Sequence, residues 1–150
     1  MKSTKSTGFT LIELVITVAI LAIIVALALP SYTNYMFRIR RADAKDLILR
    51  IAAAQERTYT NYNRYANTVT GAAPGGLGFS AGGDSTKDGT YTVAIEAIGA
   101  PGTPLAAPFQ TYQLSATPTG IQAPDKCKVL SVDSTGKKDK TGDETNGKCW

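Results

Sequence analysis

The dominant hydrophobic pattern in the chain is an apolar run from Phe9 to Leu29, in which Glu13 is the one charged residue. As an α-helix, this run would be about 32 Å long, close to the ~30 Å hydrocarbon core of a bilayer. Fully buried helices of soluble proteins rarely extend so far without polar residues. The run therefore predicts a membrane-spanning helix.

The residues before the run favour processing at its N-terminal side. Lys2 and Lys5 form a short basic stretch, and Gly8 lies directly before Phe9. A secretory signal has a shorter apolar region, followed by a small-residue cleavage site, and no such site follows this run. Cleavage after Gly8 would remove residues 1–8 and leave the apolar helix on the mature chain.

Glu13 is out of place in an apolar helix unless it has a partner. A carboxylate in a membrane helix costs about 2–3 kcal/mol near the centre and less near an end. After cleavage, the new α-amino group of Phe9 would lie about one helical turn from Glu13. Pairing within one subunit and pairing between neighbouring subunits are both open, as is a carboxylate that reaches the membrane surface.

Helical periodicity continues beyond Pro30, which would kink or loosen the helix. An apolar face recurs at i, i+3, i+4 and i+7 spacing; it comprises Ala44, Leu47, Ile48, Ile51, Gln55, Thr58 and Tyr59. The opposite face is basic, and we expect it to be solvated or to pair with other subunits; it carries Arg41, Lys45, Arg50 and Arg57. One long helix from about Phe9 to about Asn61 is therefore predicted, with Asp46 and Arg50 as an i,i+4 ion pair.

The remainder of the chain predicts a small sheet. Residues 58–90 are rich in glycine, which argues against regular structure over most of that segment. Alternating apolar and polar residues predict strands at 90–98 and 109–116, with a further candidate at 126–132. Three or four short strands after one long helix give an α+β fold with an antiparallel sheet.

Composition narrows the chemistry that is available. The chain has no histidine, which removes the commonest general base and the commonest zinc ligand. Asp143 and Glu144 lie in a polar segment without an apolar pocket to raise a pKa, so no catalytic role is predicted. Cys127 and Cys149 are an even pair, which in an exported chain favours a disulfide over two buried thiols.

The stretch GFTLIELVITVAILAIIVALALPSY resembles the N-terminus of type IV pilins, of the type IVa subclass, and of the related pseudopilins of type II secretion. The resemblance implies that a prepilin peptidase cuts after Gly8 and N-methylates Phe9. It implies that Glu13 neutralises the N-terminal amine of a neighbouring subunit, and that Phe9, Glu13 and Pro30 belong to the assembling helix. It also implies a disulfide-bounded C-terminal region.

On this basis four segments are expected: a leader at 1–8, a transmembrane or filament-core helix at 9–29, its amphipathic continuation at 30–61, and a globular head at 62–150. The apolar half of the helix would protrude, and the other half would pack on the head. The implied protein is a major or minor pilus subunit that supports adhesion, twitching motility or DNA uptake. It would lie in the inner membrane before assembly and in the extracellular filament afterwards. Its partners would be other pilin subunits, the prepilin peptidase, the assembly machinery and the bilayer.

Two ligands compete for the C-terminal segment. Calcium would use Asp139, Asp143, Glu144 and Asn146, but EF-hand spacing is not met, and turn-forming residues explain the pattern more simply. Neither a metal nor a cofactor is predicted. DNA would contact a lysine cluster comprising Lys126, Lys128, Lys137, Lys138, Lys140 and Lys148. Nearby acids leave a net charge of only +1 over residues 125–150, which favours weak phosphate binding.

The alternatives to a plain pilus subunit therefore stay open. One is a type II secretion pseudopilin, which the disulfide-bounded C-terminal region disfavours. The other is a DNA-binding or adhesive minor pilin at the filament tip, in which Trp150 would either stack on a base or pack on its own head.

Overall fold

The computed structural model describes residues 8–98, 110–143 and 149–150. Over these residues the chain forms one long helix, α1 (Leu11–Tyr62), and six strands. The strands are β1 (Thr68–Thr70), β2 (Gly76–Phe79), β3 (Tyr91–Ile98), β4 (Thr111–Pro118), β5 (Leu130–Asp133) and β6 (Lys138–Lys140). Backbone contacts divide the chain into two compact units, Met1–Met36 and Phe37–Trp150.

The helix α1 confirms the predicted long element to within two residues at its start and one at its end. Its backbone remains helical through residue 30, so the predicted loosening there does not interrupt it. From Leu11 to Leu29 the side chains are exposed. By length and composition, α1 is the described helix that could cross a membrane.

The second half of α1 supplies one wall of the hydrophobic core. The predicted apolar face is confirmed, because Ala44, Leu47, Ile48 and Ile51 are all buried in the cluster that contains the sheet residues. The predicted ion pair is also present: Arg50 Nε lies 3.1 Å from Asp46 Oδ2 on the exposed side.

The placement of Arg41 on a solvated basic face is wrong. Its side chain is buried, with Nε 2.9 Å from Asp125 Oδ2. A buried guanidinium is tolerated here because a buried carboxylate from a distant part of the chain neutralises it.

The main sheet has the order β3-β4-β5-β6, and all three pairings are antiparallel. The strand predicted at 90–98 matches β3 closely, and β4 begins and ends two residues later than predicted. The third candidate, at 126–132, is too long at its N-terminal side, because Lys128 has a φ of +54° and lies in a turn that an extended strand cannot contain. The edge strand β6 was not predicted, since Lys-Asp-Lys carries no apolar alternation.

The glycine-rich segment is more ordered than its composition indicates. It holds a two-stranded parallel sheet of β1 and β2 with an irregular register. Glycine at position 76 permits the pairing, because a Cβ there would meet the carbonyl oxygens of Thr70 and Gly71. The expectation that regular structure is absent from most of residues 58–90 is therefore corrected for these two strands.

Candidate functional site

The C-terminal end of the chain is attached to the head by a disulfide between Cys127 and Cys149, as predicted. Both cysteines are buried in the hydrophobic core. A second attachment lies beside the first, where the Gly142 N–H donates to the Cys127 carbonyl at 3.1 Å. The two attachments bring the end of the chain against the loop that precedes β5.

Trp150 packs on its own head. Its indole lies against the hydrophobic core, and its Nε1–H donates to the Asp139 carbonyl at 2.7 Å. The Lys138 ammonium lies over the ring, 5.4 Å from the centroid, in a cation–π arrangement. Because core residues and Lys138 already contact the indole, the structure favours packing over the alternative in which Trp150 stacks on a base.

The predicted lysine cluster is largely accessible. Lys126, Lys128, Lys137 and Lys138 are exposed and Lys140 is half-buried, whereas Lys148 lies outside the described residues. Two of the ammonium groups bond to backbone carbonyls: Lys140 Nζ donates to Gly142 O at 2.8 Å, and Lys128 Nζ donates to Ala123 O at 3.3 Å. The cluster therefore surrounds the disulfide and the turn between β5 and β6.

Asp125 does not offset these lysines at the surface. Its carboxylate is buried, and it accepts from the Tyr91 hydroxyl at 2.7 Å and from Gln122 Nε2 at 2.8 Å, in addition to pairing with Arg41. Asp133, in turn, accepts from the backbone N–H groups of Thr135 and Lys137. Because Arg41 cancels the charge of Asp125 in the interior, the accessible surface of this region is more basic by one charge than the sequence sum indicates.

The pKa of Asp133 lies below its ordinary value. The hydroxyl of Thr135 is the main cause, and the N–H groups and charge of the neighbouring turn residues add to it, while burial acts in the opposite direction. These donors stabilise the ionised carboxylate within its own turn. Asp133 therefore stays ionised beside Lys137 and still offsets part of the positive charge of the lysines.

At the other end of the chain, Glu13 lies in the first turn of α1. One carboxylate oxygen, Oε2, accepts from Thr10 N at 3.0 Å and from Thr10 Oγ1 at 2.8 Å. Gly8 and Phe9 precede the helix and are exposed, and the backbone of Pro30 lies within α1. An acidic group in the first turn also suits the helix dipole. The pairing of Glu13 with an N-terminal amine stays a prediction.

Metal binding gains no support from the described residues, which contain no grouping of three or more metal-ligating acidic or cysteine side chains. Of the four oxygen donors considered for calcium, Asp139 and Asp143 are described, whereas Glu144 and Asn146 lie outside the described ranges.

The sequence reasoning missed the buried polar network of Arg41, Tyr91, Gln122 and Asp125. Arg41 and Asp125 are 84 positions apart, and no local pattern links them. The burial of Arg41 could have been suspected from the predicted packing of the amphipathic helix on the sheet. Such packing buries some residues at the edge of the apolar face.

Two family models match the chain. The model described as type IV minor pilin ComP, DNA uptake sequence receptor, matches residues 30–131, and the prokaryotic N-terminal methylation motif matches residues 3–29. Together they include the apolar run, the amphipathic helix and the sheet as far as the first two residues of β5.

The chain is similar to individual pilins and to a solved pilin structure. The fimbrial protein EcpC of Eikenella corrodens is 32% identical over 130 residues, which are 85% of this chain and 74% of EcpC. The type IV major pilin PilA of Myxococcus xanthus is 35% identical over 63 residues, which are 42% of this chain but only 29% of that pilin. A solved type IV pilin from Shewanella oneidensis is 25% identical and covers 76% of this chain and 97% of its own, with a TM-score of 0.48.

The first of these family models spans more than half of the chain, and EcpC aligns over most of its length. An N-terminal methylation motif, a long helix with an apolar first half, and an antiparallel sheet with a disulfide-bonded end accompany these matches. The chain belongs to the type IV pilin family, whose members are structural subunits of pili.

Proposed function

We propose that the protein is a non-catalytic subunit of a type IV pilus and assembles through the apolar half of α1. The observation that carries this proposal is the exposure of the side chains from Leu11 to Leu29. Exposed apolar surface of this extent is unfavourable in water at about 25 cal/mol per Å². Lipid covers it before assembly, and the helices of neighbouring subunits cover it in the filament.

Processing after Gly8 would place a positive charge at the start of this helix. Cleavage by a prepilin peptidase leaves Phe9 as the first residue, with a positive α-amino group that is then methylated. A carboxylate in an apolar filament core costs several kcal/mol unless it is paired. Glu13 meets this requirement by pairing with the Phe9 amine of a neighbouring subunit, and the pair sets the axial register between helices.

The test compares Glu13→Gln with Glu13→Asp in cells that form pili. Glutamine keeps the size of the side chain and an oxygen that Thr10 can donate to, but it lacks the charge, whereas aspartate keeps the charge. We expect both variants to insert into the membrane, and the glutamine variant to be depleted at least tenfold from sheared filaments. Equal incorporation of Glu13→Gln and wild type would refute the register role.

Intact mass of the filament subunit is the companion measurement. The expected mass lacks residues 1–8 and includes one methyl group on Phe9. A subunit that keeps its first eight residues has no free amine near Glu13, and the proposed pairing would then fail whatever the filament yield.

The mature subunit would lie in the inner membrane before assembly and in the extracellular filament afterwards. Energy for extension and retraction would come from other proteins of the pilus machinery, since the chain contains no Walker-type phosphate-binding sequence. The disulfide-bonded tail favours a pilus subunit over a type II secretion pseudopilin.

A second function, contact with DNA, is favoured by the exposure of the lysine cluster together with the burial of Asp125. The description of the matching family model as a DNA uptake sequence receptor supports the same proposal. The contacting residues would be Lys126, Lys128, Lys137, Lys138 and Lys140. Phosphate contacts supply most of the sequence-independent affinity for DNA.

Duplex DNA binding by the full-length protein in detergent micelles tests this second function. We expect Lys126→Gln/Lys137→Gln to weaken binding at low salt by about tenfold and to lower the slope of log K against log salt by about 1.8, because two phosphate contacts are lost. Lys87→Gln, which changes an exposed lysine in a different loop, is the matched control. DNA binding that is absent in the wild type, or equal in both variants, would reject DNA contact at this cluster.

A further inference from the structure

The loop between β4 and β5 buries polar side chains and exposes apolar ones. Gln122 and Asp125 are 0% and 1% exposed, whereas Ile121 is 66% exposed, and Ala123 and Pro124 are exposed close to it in the sequence. After α1, Ile121 is the one exposed large hydrophobic residue that the structure describes. Single exposed apolar residues are ordinary, but an exposed apolar group next to buried polar residues is informative. We call Ile121, Ala123 and Pro124 the loop patch.

Hydrogen bonds at both ends of the short turn hold Ile121 outward. At one end the Gln122 side chain is anchored in the interior, where Nε2 donates to the Phe37 carbonyl at 3.2 Å. At the other end Thr119 Oγ1 donates to the Gly89 carbonyl at 2.6 Å. Ile121 could turn into the core only if these bonds broke. Its exposure is therefore built into the loop.

The bond to Phe37 attaches the loop close to the end of the apolar run. Phe37 comes eight positions after Leu29. Eight helical residues extend about 12 Å, and a fully extended chain of eight residues spans no more than about 29 Å. When the run up to Leu29 spans a bilayer, chain connectivity therefore keeps the loop patch close to the membrane surface.

Basic residues flank the loop patch and Phe37 in the sequence. They are Arg38, Arg40, Lys126 and Lys128. Lys128 Nζ donates to the Ala123 carbonyl at 3.3 Å, which holds this ammonium beside the loop patch. The acidic residue of the loop, Asp125, is buried and paired with Arg41, so it does not offset these charges. The exposed part of the loop is thus apolar and positively charged.

We propose that the loop patch and its basic residues bind the surface of an anionic phospholipid bilayer before the subunit is assembled. Ile121 would enter the interfacial region, and the lysine and arginine side chains would contact lipid phosphates. A bilayer surface offers an apolar layer directly beneath negative charge, which matches both properties of this loop. A DNA backbone offers the charge but no comparable apolar layer.

The inference rests on the proposed insertion of α1 into the bilayer and goes beyond it. Because α1 tethers the head to the membrane, the local concentration of lipid is high and a weak contact is sufficient. The contact would orient the head on the membrane, and assembly would release it. Lys126 and Lys128 would then exchange lipid phosphates for the DNA phosphates of the proposed DNA contact.

The first experiment uses lipids that carry bromine near the headgroup and quench tryptophan on contact. Trp150→Phe removes the sole tryptophan of the chain, so that a tryptophan introduced elsewhere is the only one. In this background, Ile121→Trp reports the loop patch and Ile20→Trp reports insertion of α1. Tyr62→Trp is the matched control, because it is exposed and lies about 38 Å along α1 from Phe37. Each full-length variant is placed in nanodiscs of phosphatidylcholine with and without phosphatidylglycerol, and thermal unfolding verifies its fold.

We expect brominated anionic discs to reduce the fluorescence of Ile20→Trp and of Ile121→Trp and to leave that of Tyr62→Trp unchanged. Equal fluorescence losses for Ile121→Trp and Tyr62→Trp would overturn the proposal. If Ile20→Trp is not quenched, α1 does not insert and both proposals fail. If Ile20→Trp is quenched and Ile121→Trp is not, the loop contact fails and insertion stands.

Charge is tested in the same discs. Quenching of Ile121→Trp should decrease when phosphatidylglycerol is omitted, and also when Lys126→Gln/Lys128→Gln is added, but not when Lys87→Gln is added. Quenching that is indifferent to all three changes would overturn the contact with anionic lipid.

A second experiment leaves Ile121 and Trp150 in place, because an introduced tryptophan itself favours the membrane interface. Acetylation of Lys128 relative to Lys87 is measured by mass spectrometry in both kinds of disc. We expect slower acetylation of Lys128 in anionic discs, and a smaller difference between the discs for Ile121→Ser. Equal relative acetylation in the two kinds of disc would overturn the proposal.

Other occupants give different results. An emission shift of Ile121→Trp on addition of duplex DNA, without quenching by lipid, would assign the loop patch to DNA. A shift that depends on the number of copies per disc, again without quenching, would assign it to a second subunit. Either result would overturn the membrane contact.

Discussion

Arg41 Nε lies 2.9 Å from Asp125 Oδ2, with the two side chains 7% and 0% exposed, and this ion pair joins α1 to the loop before the disulfide. The same carboxylate accepts from Tyr91, from Gln122 and, through Oδ1, from the backbone N–H of Cys127 at 3.1 Å. A buried carboxylate with this many donors is well satisfied. The pair therefore positions the loop that carries the exposed lysines on either side of Cys127.

Replacing Arg41 with methionine should lower the free energy of unfolding by about 3–5 kcal/mol, because the buried Asp125 carboxylate loses its counterion. Methionine fills a similar volume, so the effect reports the charge more than the packing. Urea denaturation of the full-length protein in micelles, followed by Trp150 fluorescence, measures it.

The double variant Arg41→Met/Asp125→Asn serves as the control for that measurement, with Asp125→Asn as the second single variant. Asparagine removes the charge but keeps an oxygen that can accept from the donors around Asp125, so the double variant should be more stable than the sum of the two single losses predicts. An Arg41→Met variant that loses less than about 1 kcal/mol, or a double variant whose loss equals the sum of the singles, would show that the pair is not coupled.

Removal of the disulfide tests the attachment of the end of the chain. The bridge closes a loop of 22 positions, for which the chain-entropy model gives about 3 kcal/mol. Cys127→Ala/Cys149→Ala should therefore unfold at lower urea concentration. It should also expose the chain after β6 to protease, because that segment is polar and Cys149 would no longer hold Trp150 on the core. An unchanged digestion pattern would mean that Trp150 and its bond to Asp139 hold the segment without the bridge.

Much of the fold could be predicted because its signals are periodic. The apolar run and the i, i+3, i+4 face of α1 depend on neighbouring residues only, and β3 and β4 alternate along their own length. The short strands lack such patterns: β1 has only three residues, β2 consists half of glycine, and β6 is Lys-Asp-Lys, so backbone pairing with a neighbouring strand rather than side-chain alternation makes them extended. Local pattern could not reveal them.

The site was harder to predict than the fold for a related reason. The disulfide was predicted correctly from residue type. Arg41 was assigned to the solvated face, and Asp125 was counted against the surface lysines, although each neutralises the other in the interior. Arg41 and Asp125 meet only because α1 packs on the rest of the head, which no single stretch of sequence encodes.

Gly142 provides a test of the close contact beside the disulfide. A Cβ at this position would meet the Lys126 carbonyl oxygen and would lie 2.5 Å from the Cys127 carbonyl carbon. These are backbone atoms, which cannot rotate away as the end of a side chain can. Gly142→Ala should therefore break the hydrogen bond from residue 142 to the Cys127 carbonyl and lower the melting temperature by several degrees. Gly75→Ala is the matched control, since nothing lies within 4 Å of its Cβ position. Similar melting temperatures for the two variants would contradict this account.

Alkaline pH should destabilise the head through Tyr112. Burial is the main cause that raises the pKa of Tyr112 far above its ordinary value, and the charge of Glu56 and the hydrogen bond from the hydroxyl to Glu56 Oε1, at 3.1 Å, raise it further. A group whose pKa is higher in the folded state binds its proton more tightly there. Its contribution to stability is therefore complete below the unfolded-state pKa of about 10 and is lost as the pH rises above that value.

Urea denaturation at pH 8, 9, 10 and 11 measures this dependence. Above pH 10 the free energy of unfolding should fall with a slope that includes up to about 1.4 kcal/mol per pH unit from Tyr112. Tyr112→Phe removes the titrating proton and should flatten the slope by that amount. In Tyr112→Phe a smaller slope of the same sign should remain, because burial and Asp125 also raise the pKa of Tyr91. Lys45 contributes to the slope with the opposite sign, because its pKa is lower in the folded protein than in the unfolded chain. Equal slopes for Tyr112→Phe and wild type would show that Tyr112 ionises as readily in the folded protein as in the unfolded chain.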